Sequence, residues 1–138
     1  MESESAVLTS VLKYLGARSD CRVWRHNTGR IADRNGRVVS FGLVGSADVI
    51  GIRLVHAFST IDGRTVFDSI KDCDRDDSPK TWVRVGGACG QFLAVECKSA
   101  TGRQSEAQRN FQKMVESMGG LYLLVRDVAD LYPWFPKE

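Results

Sequence analysis

The sharpest chemical suggestion in this chain comes from three residues, Asp48, Glu96 and Lys98. Glu96 and Lys98 stand two apart in the otherwise apolar run 91–98. Side chains of a strand alternate faces, so Phe92, Ala94, Glu96 and Lys98 share one side and Leu93, Val95 and Cys97 the other. Strand propensity does not call for a carboxylate and an ammonium there, because both residue types are depleted in strands. Taken alone, Glu96-x-Lys98 reads most economically as an ion pair at a fraying strand end. Asp48 changes that balance. It opens a second apolar run, 47–55, directly after the glycine-punctuated Gly42-Leu43-Val44-Gly45. If the two runs are neighbouring strands, two carboxylates can surround one hard cation; magnesium takes a few carboxylate oxygens plus waters. The backbone carbonyl of Cys97 offers another oxygen. Such an ion would polarise a phosphate oxygen and activate a water, while Lys98 orients that water or neutralises charge on the phosphate.

Positioning these groups requires a scaffold, and its parts are readable. Residues 4–16 form a predicted helix, with Val7, Leu8, Val11, Leu12 and Leu15 at helical spacing and Gly16 as a stop. Glu4 sits on or beside the inward face, where it either favours the helix dipole or serves as a ligand. Residues 21–26 read as a short strand, and 30–41 as a hairpin around Asn35-Gly36. A second hairpin, 56–67, turns at Asp62-Gly63, and 68–80 reads as an exposed acidic loop. Its Asp72, Asp74, Asp76 and Asp77 faintly suggest a calcium loop, but Asp77 stands where glycine is required and Val83 where glutamate is. Strands 81–85 and 91–98 are expected on either side of Gly86–Gly90. A second helix, 105–118, opens on the capping box formed by Ser105 and Gln108, and Gly119-Gly120 ends it. Residues 121–126 read as an apolar central strand, and 127–134 as a short terminal helix halted by proline. The order predicts an α/β fold, a mixed sheet flanked by helices, in one domain over residues 1–138.

Composition sets the wider bounds. The chain has 138 residues, 43% of them hydrophobic, which suits one core. Its net charge is only +2, yet Arg18, Arg22, Arg25, Arg30, Arg34 and Arg37 crowd one stretch whose only acids are Asp20 and Asp33. That patch could neutralise phosphates or be solvated surface, and charge alone leaves both open. The four cysteines show no Cys-x-x-Cys spacing and there are two histidines, a poor basis for structural zinc. The acidic start does not resemble a signal peptide, and no apolar run is long enough to span a membrane. A cytoplasmic protein with reduced thiols is expected.

Read in order, the motifs resemble the PD-(D/E)XK nuclease pattern. The finer similarity is to the virus-type replication–repair nuclease (VRR-NUC) domain, a relative of archaeal Holliday-junction resolvases. The matching features are a helical glutamate, Glu4, then Arg25-His26-Asn27-Thr28-Gly29, and a glycine-rich turn into Asp48. After these come Val95-Glu96-Cys97-Lys98-Ser99, Gly102, a helix bearing Gln108, and a glycine with an apolar strand, Gly119 to Val125. No single motif is specific, but the ordered set is, and it covers nearly the whole chain apart from about residues 54–88. The resemblance implies a restriction-endonuclease-like fold and a catalytic centre of Asp48, Glu96 and Lys98. It makes Glu4 a further acid near the metal, directly or through water, and turns Gln108 toward the site. Metal ligands would be Asp48, Glu96, the Cys97 carbonyl and Glu4, and the cofactor Mg2+ or Mn2+. Arg25, Asn27 and Arg30 would lie near the substrate backbone. His26 stays unassigned.

The chain departs from the pattern in three places. Ala47 replaces the usual proline, Cys97 replaces an aliphatic, and 54–88 is long and is read as a hairpin and loop insertion. The resemblance further implies a homodimer, encoded by a phage or prophage, that cuts branched DNA such as Holliday junctions. The competing expectation is a non-catalytic DNA- or protein-binding module in which Glu96 and Lys98 merely pair. An RNA-directed enzyme is a weaker third, since no aromatic stacking motif of the usual RNA type is present.

Overall fold

A computed structural model describes residues 2–68 and 83–137. The first helix, α1 (Glu4–Gly16), starts where the Ser3 side chain accepts the Ala6 N–H. Val7, Val11 and Leu15 recur every four residues, so one stripe of the helix is apolar and fully buried. After α1 come β1 (Cys21–Arg25), β2 (Gly29–Ala32), β3 (Val38–Phe41), β4 (Val49–Ser59) and β5 (Thr65–Asp68). The chain continues through β6 (Val83–Cys97), α2 (Glu106–Ser117), β7 (Leu121–Val125) and a 3-10 turn, Val128–Leu131.

The main sheet runs β1-β4-β6-β7, and β5 adds to the far end of β4. All its pairs are antiparallel except β6 with β7, so the sheet is mixed and helices flank it. Alternation along the strands divides the core in two. On one face α1 and the C-terminal Leu131 and Phe135 cover Val49, Leu93, Val95, Cys97, Leu123 and Val125. On the other, Phe111 and Val115 of α2 pack on Ala47, Ala94 and Tyr122. The C-terminal end is tied to α1 by Arg18, which donates to both Asp20 carboxylate oxygens at 2.8 Å and to the Pro136 carbonyl at 2.7 Å.

Three expectations change. Residues 83–97 form one strand, not two separated by glycines. Strand β4 is long enough to pair across them, and the register shifts between His56, opposite Ala88, and Phe58, opposite Arg84. Within 54–88, residues 54–59 and 83–88 lengthen β4 and β6, and β4 turns back into β5 as a hairpin. The apolar strand β7 lies at an edge, not in the centre. Its run is apolar because both faces are covered, Leu123 and Val125 from the α1 side and Tyr122 from the α2 side. The expected terminal helix is a single 3-10 turn, capped by Asp127. Both hairpins turn where predicted, with positive φ at Gly36 and Gly63. The acidic segment 68–80 lies almost wholly outside the described residues.

Candidate active site

The register that pairs Val49 with Val95 brings Asp48, at the start of β4, level with Glu96 near the end of β6. The Cys97 N–H donates to Asp48 Oδ2 at 2.8 Å, which fixes one carboxylate against the backbone of the other strand. The turn before Asp48 needs its glycine. Gly45 has φ +83°, and a Cβ there would lie 2.4 Å from the Ala107 carbonyl carbon and oxygen. This contact presses the turn against the first helical turn of α2, where Gln108 sits.

Gln108 plays both of its expected parts. Its Oε1 accepts the Ser105 N–H at 2.8 Å, completing the capping box, while its Nε2 donates to Glu96 Oε1 at 2.9 Å. The amide thus anchors the helix start and orients the carboxylate together. Lys98 Nζ lies 3.9 Å from the same Glu96 oxygen. Glu96 is 1% exposed and Lys98 9%, so the pair is buried at a strand end that opens toward the partly exposed Asp48. The other oxygen, Glu96 Oε2, is buried and makes no hydrogen bond of ordinary geometry, while the Asp48 carboxyl and the Tyr122 hydroxyl both lie close enough to the Glu96 carboxyl to shift its proton balance.

Electrostatics follow from that packing. Burial first, and then the neighbouring Asp48 carboxylate, push the Glu96 carboxyl up to about 8; Lys98 opposes them and Glu4 adds a little. Burial and the same carboxylates push the Cys97 thiol up to about 12, so at neutral pH it is a thiol and only its backbone can serve the site. Among the described residues, no three His, Cys, Asp or Glu side chains gather closely enough to hold a metal ion by themselves. The donor set here is two carboxylates with the Cys97 main chain between them. It fits a hard cation on two counts. Magnesium sites use one or two carboxylates and keep several waters. The Glu96 and Asp48 carboxyls lie close enough that their repulsion raises Glu96, which marks a place short of positive charge.

The structure therefore brings Asp48, Glu96, Lys98 and Gln108 together. Glu4 lies at the exposed start of α1, and its charge reaches Glu96 and Cys97 without a hydrogen bond to either. Arg25 and Asn27 are exposed beside the site, where the His26 N–H donates to the Asp48 carbonyl at 2.7 Å. Arg30 lies on β2, at the base of a separate two-stranded ribbon.

Two supports were missed. Tyr122 accepts from Gln104 at 3.1 Å, and its buried hydroxyl, close enough to feel the Glu96 and Asp48 charges, is raised above the usual phenol range mainly by burial. Arg126 donates to the Ser99 and Gly102 carbonyls, both at 2.6 Å, and so holds the loop that follows Lys98. A tyrosine in an apolar strand and an arginine just after it gave no signal of either role. No family model matches this chain, and neither the curated proteins nor the solved structures include a match to it.

Proposed function

We propose that this protein is a metal-dependent DNA endonuclease with a PD-(D/E)XK-type centre in a VRR-NUC-like domain. One observation carries the reading. A buried carboxylate stands level with a second, backbone-fixed carboxylate on the neighbouring strand, and a lysine follows two residues on. An ion pair at a strand end does not require Asp48. Asp48, Glu96 and the Cys97 carbonyl would hold one magnesium or manganese ion, with Glu4 as a further acid nearby. When bound, the ion would polarise a phosphate oxygen and make water a better nucleophile at neutral pH.

The remaining work falls to the chain's own side chains. Gln108 keeps Glu96 from rotating, and the Cys97 N–H does the same for Asp48. The Lys98 ammonium, held next to Glu96, would orient the attacking water and neutralise charge building on the phosphate oxygens. Arg25 and Asn27, exposed beside Asp48, would receive the substrate backbone. Branched DNA and a two-fold dimer belong to this proposal through the resemblance alone.

The test is cleavage of labelled linear, flapped and four-way-junction DNA with magnesium or manganese by wild type, Glu96→Ala and Lys98→Ala. Metal-dependent cutting that is lost in both folded variants is the expected result. DNA binding without cutting, unchanged in both variants, would overturn the nuclease reading in favour of a binding module.

A further inference from the structure

We infer that the β2–β3 ribbon is an arm that grips double-stranded DNA across a groove, with Arg34 and Arg37 at its tip closing on phosphates remote from the cut. The inference rests on the proposed nuclease centre and assigns that centre a substrate preference, duplex flanking the scissile bond.

The ribbon is rooted at the site. It occupies the connection between β1 and Asp48, and the His26–Asp48 backbone bond lies three residues before β2 begins. On the return side, Gly42 packs so closely on Thr28 that a Cβ would lie 2.5 Å from its Cγ2, and Gly45 is pinned to α2. Beyond this root the ribbon pairs with no strand of the main sheet among the described residues, and residues 30–44 are all exposed. Four residues per strand carry the turn about 13 Å outward at about 3.3 Å each. That reach is close to the width of a major groove, about 12 Å, which admits a two-stranded ribbon.

Charge identifies the occupant. Arg30, Arg34 and Arg37 make no salt bridge or side-chain hydrogen bond among the described residues. The one acid on the arm, Asp33, serves the turn, its Oδ1 accepting the Asn35 and Arg37 N–H groups at 2.9 and 2.8 Å. Three arginines against one aspartate leave the protruding arm with a net positive charge that complements a polyanion, and neutralising phosphates releases condensed counter-ions. At the root, Arg30 stands across from Ser40, and both line a hollow of about 310 Å³ with Thr28 and without any acid. A backbone phosphate between the cut and the tip fits that chemistry. The opposite face of the ribbon carries the exposed Ile31 and Val39, which would meet sugars and base edges in the groove. A single strand offers the tip no second backbone to reach.

The experiment measures binding of the full chain, with calcium in place of magnesium, to a fluorescent duplex and to a single strand of the same sequence over a range of salt. Wild-type cleavage is followed in parallel. The double variant Arg34→Ala/Arg37→Ala should bind duplex about tenfold more weakly and lower the salt slope by about two. Its single-strand affinity should stay within about twofold, and Arg34→Glu/Arg37→Glu should weaken duplex binding further. Wild-type duplex affinity and slope in the variants would overturn the arm while leaving the nuclease standing. Equal losses on duplex and single strand would overturn the groove grip, and a changed sedimentation mass with unchanged DNA affinity would reassign the ribbon to protein contact. A wild-type chain that neither binds nor cuts DNA would remove the nuclease reading first, and the arm with it.

Discussion

Glu96 and Arg34 are both charged, and the molecule treats them in opposite ways. Glu96 is 1% exposed, held by Gln108 and crowded by Asp48, so removing its charge or its shape is felt by everything around it. Arg34 stands exposed at the tip of a ribbon that pairs with no strand of the main sheet among the described residues, where water screens its charge. The site end of the sheet is sandwiched between α1 and α2, whereas the ribbon has neither helix over it. Chemistry that depends on fixed distances belongs in the first environment, and reach toward a large ligand belongs in the second. Substitutions should divide the same way: stability and catalysis together at the site, binding alone at the ribbon.

The largest expected effect is on turnover. Glu96→Gln keeps the size of the side chain but removes a ligand charge, and cleavage should fall by about 10³-fold or more. Single-turnover rates at saturating DNA would check this, and a loss below about tenfold would detach Glu96 from the chemistry.

Next come paired glycine substitutions that set the two regions against each other. At Gly45, alanine meets both a positive φ and the Ala107 backbone 2.4 Å away. We expect Gly45→Ala to lose about 2–4 kcal/mol in urea unfolding and to displace Asp48. An unchanged midpoint would mean that the turn is not pinned to α2.

The third effect concerns pH. In the metal-free protein the Glu96 carboxyl titrates near 8, above its ordinary value of 4.5. A carboxyl whose folded pKa is raised adds stability that is complete below about 4.5 and lost as pH rises through about 8. With a chelator present, wild type should therefore melt lower at pH 9 than at pH 6. Glu96→Gln should flatten that difference and raise Tm at pH 9 by about 5 °C. Parallel profiles for the two proteins would show that the carboxyl is not held neutral.

How much of this was legible beforehand depended on how local the cause was. Asp48, Glu96 and Lys98 stood out because charge in an apolar strand contradicts propensity, and the two hairpin turns were marked by Asn35-Gly36 and Asp62-Gly63. The capping box of Ser105 and Gln108 was readable from spacing four residues long. What was not legible came from partners distant in sequence. The continuity of β6 through its glycines depends on β4 running alongside. The edge position of β7 depends on which strands pair, and no pattern within residues 121–125 records that. Tyr122 and Arg126 support the site through Gln104 and the Ser99 loop, contacts set by the parallel β6–β7 pairing.

Gln108 offers a smaller effect with two readouts. Gln108→Ala removes one half of the capping box and the donor to Glu96, so stability should fall by about 1 kcal/mol. Cleavage should fall further than that loss explains, by about ten- to a hundredfold, because Glu96 is left to rotate. A variant destabilised by the same amount but fully active would reduce Gln108 to a helix cap.

The smallest effect is the most direct test of the division between the regions. Gly36 has φ +77°, much like Gly45, but a Cβ there meets nothing within 4 Å. Gly36→Ala should thus cost only the local strain of a left-handed alanine, about 1 kcal/mol, confined to the turn of the ribbon. Because the ribbon pairs with no strand of the main sheet among the described residues, that strain should appear as faster amide exchange over residues 29–41, with global unfolding lowered by no more than about 1 kcal/mol. Duplex affinity should weaken, since a frayed tip no longer holds Arg34 and Arg37 at a fixed reach. A drop in global stability as large as that of Gly45→Ala would show that the ribbon is part of the cooperative core, and the contrast between buried chemistry and free-standing reach would fail.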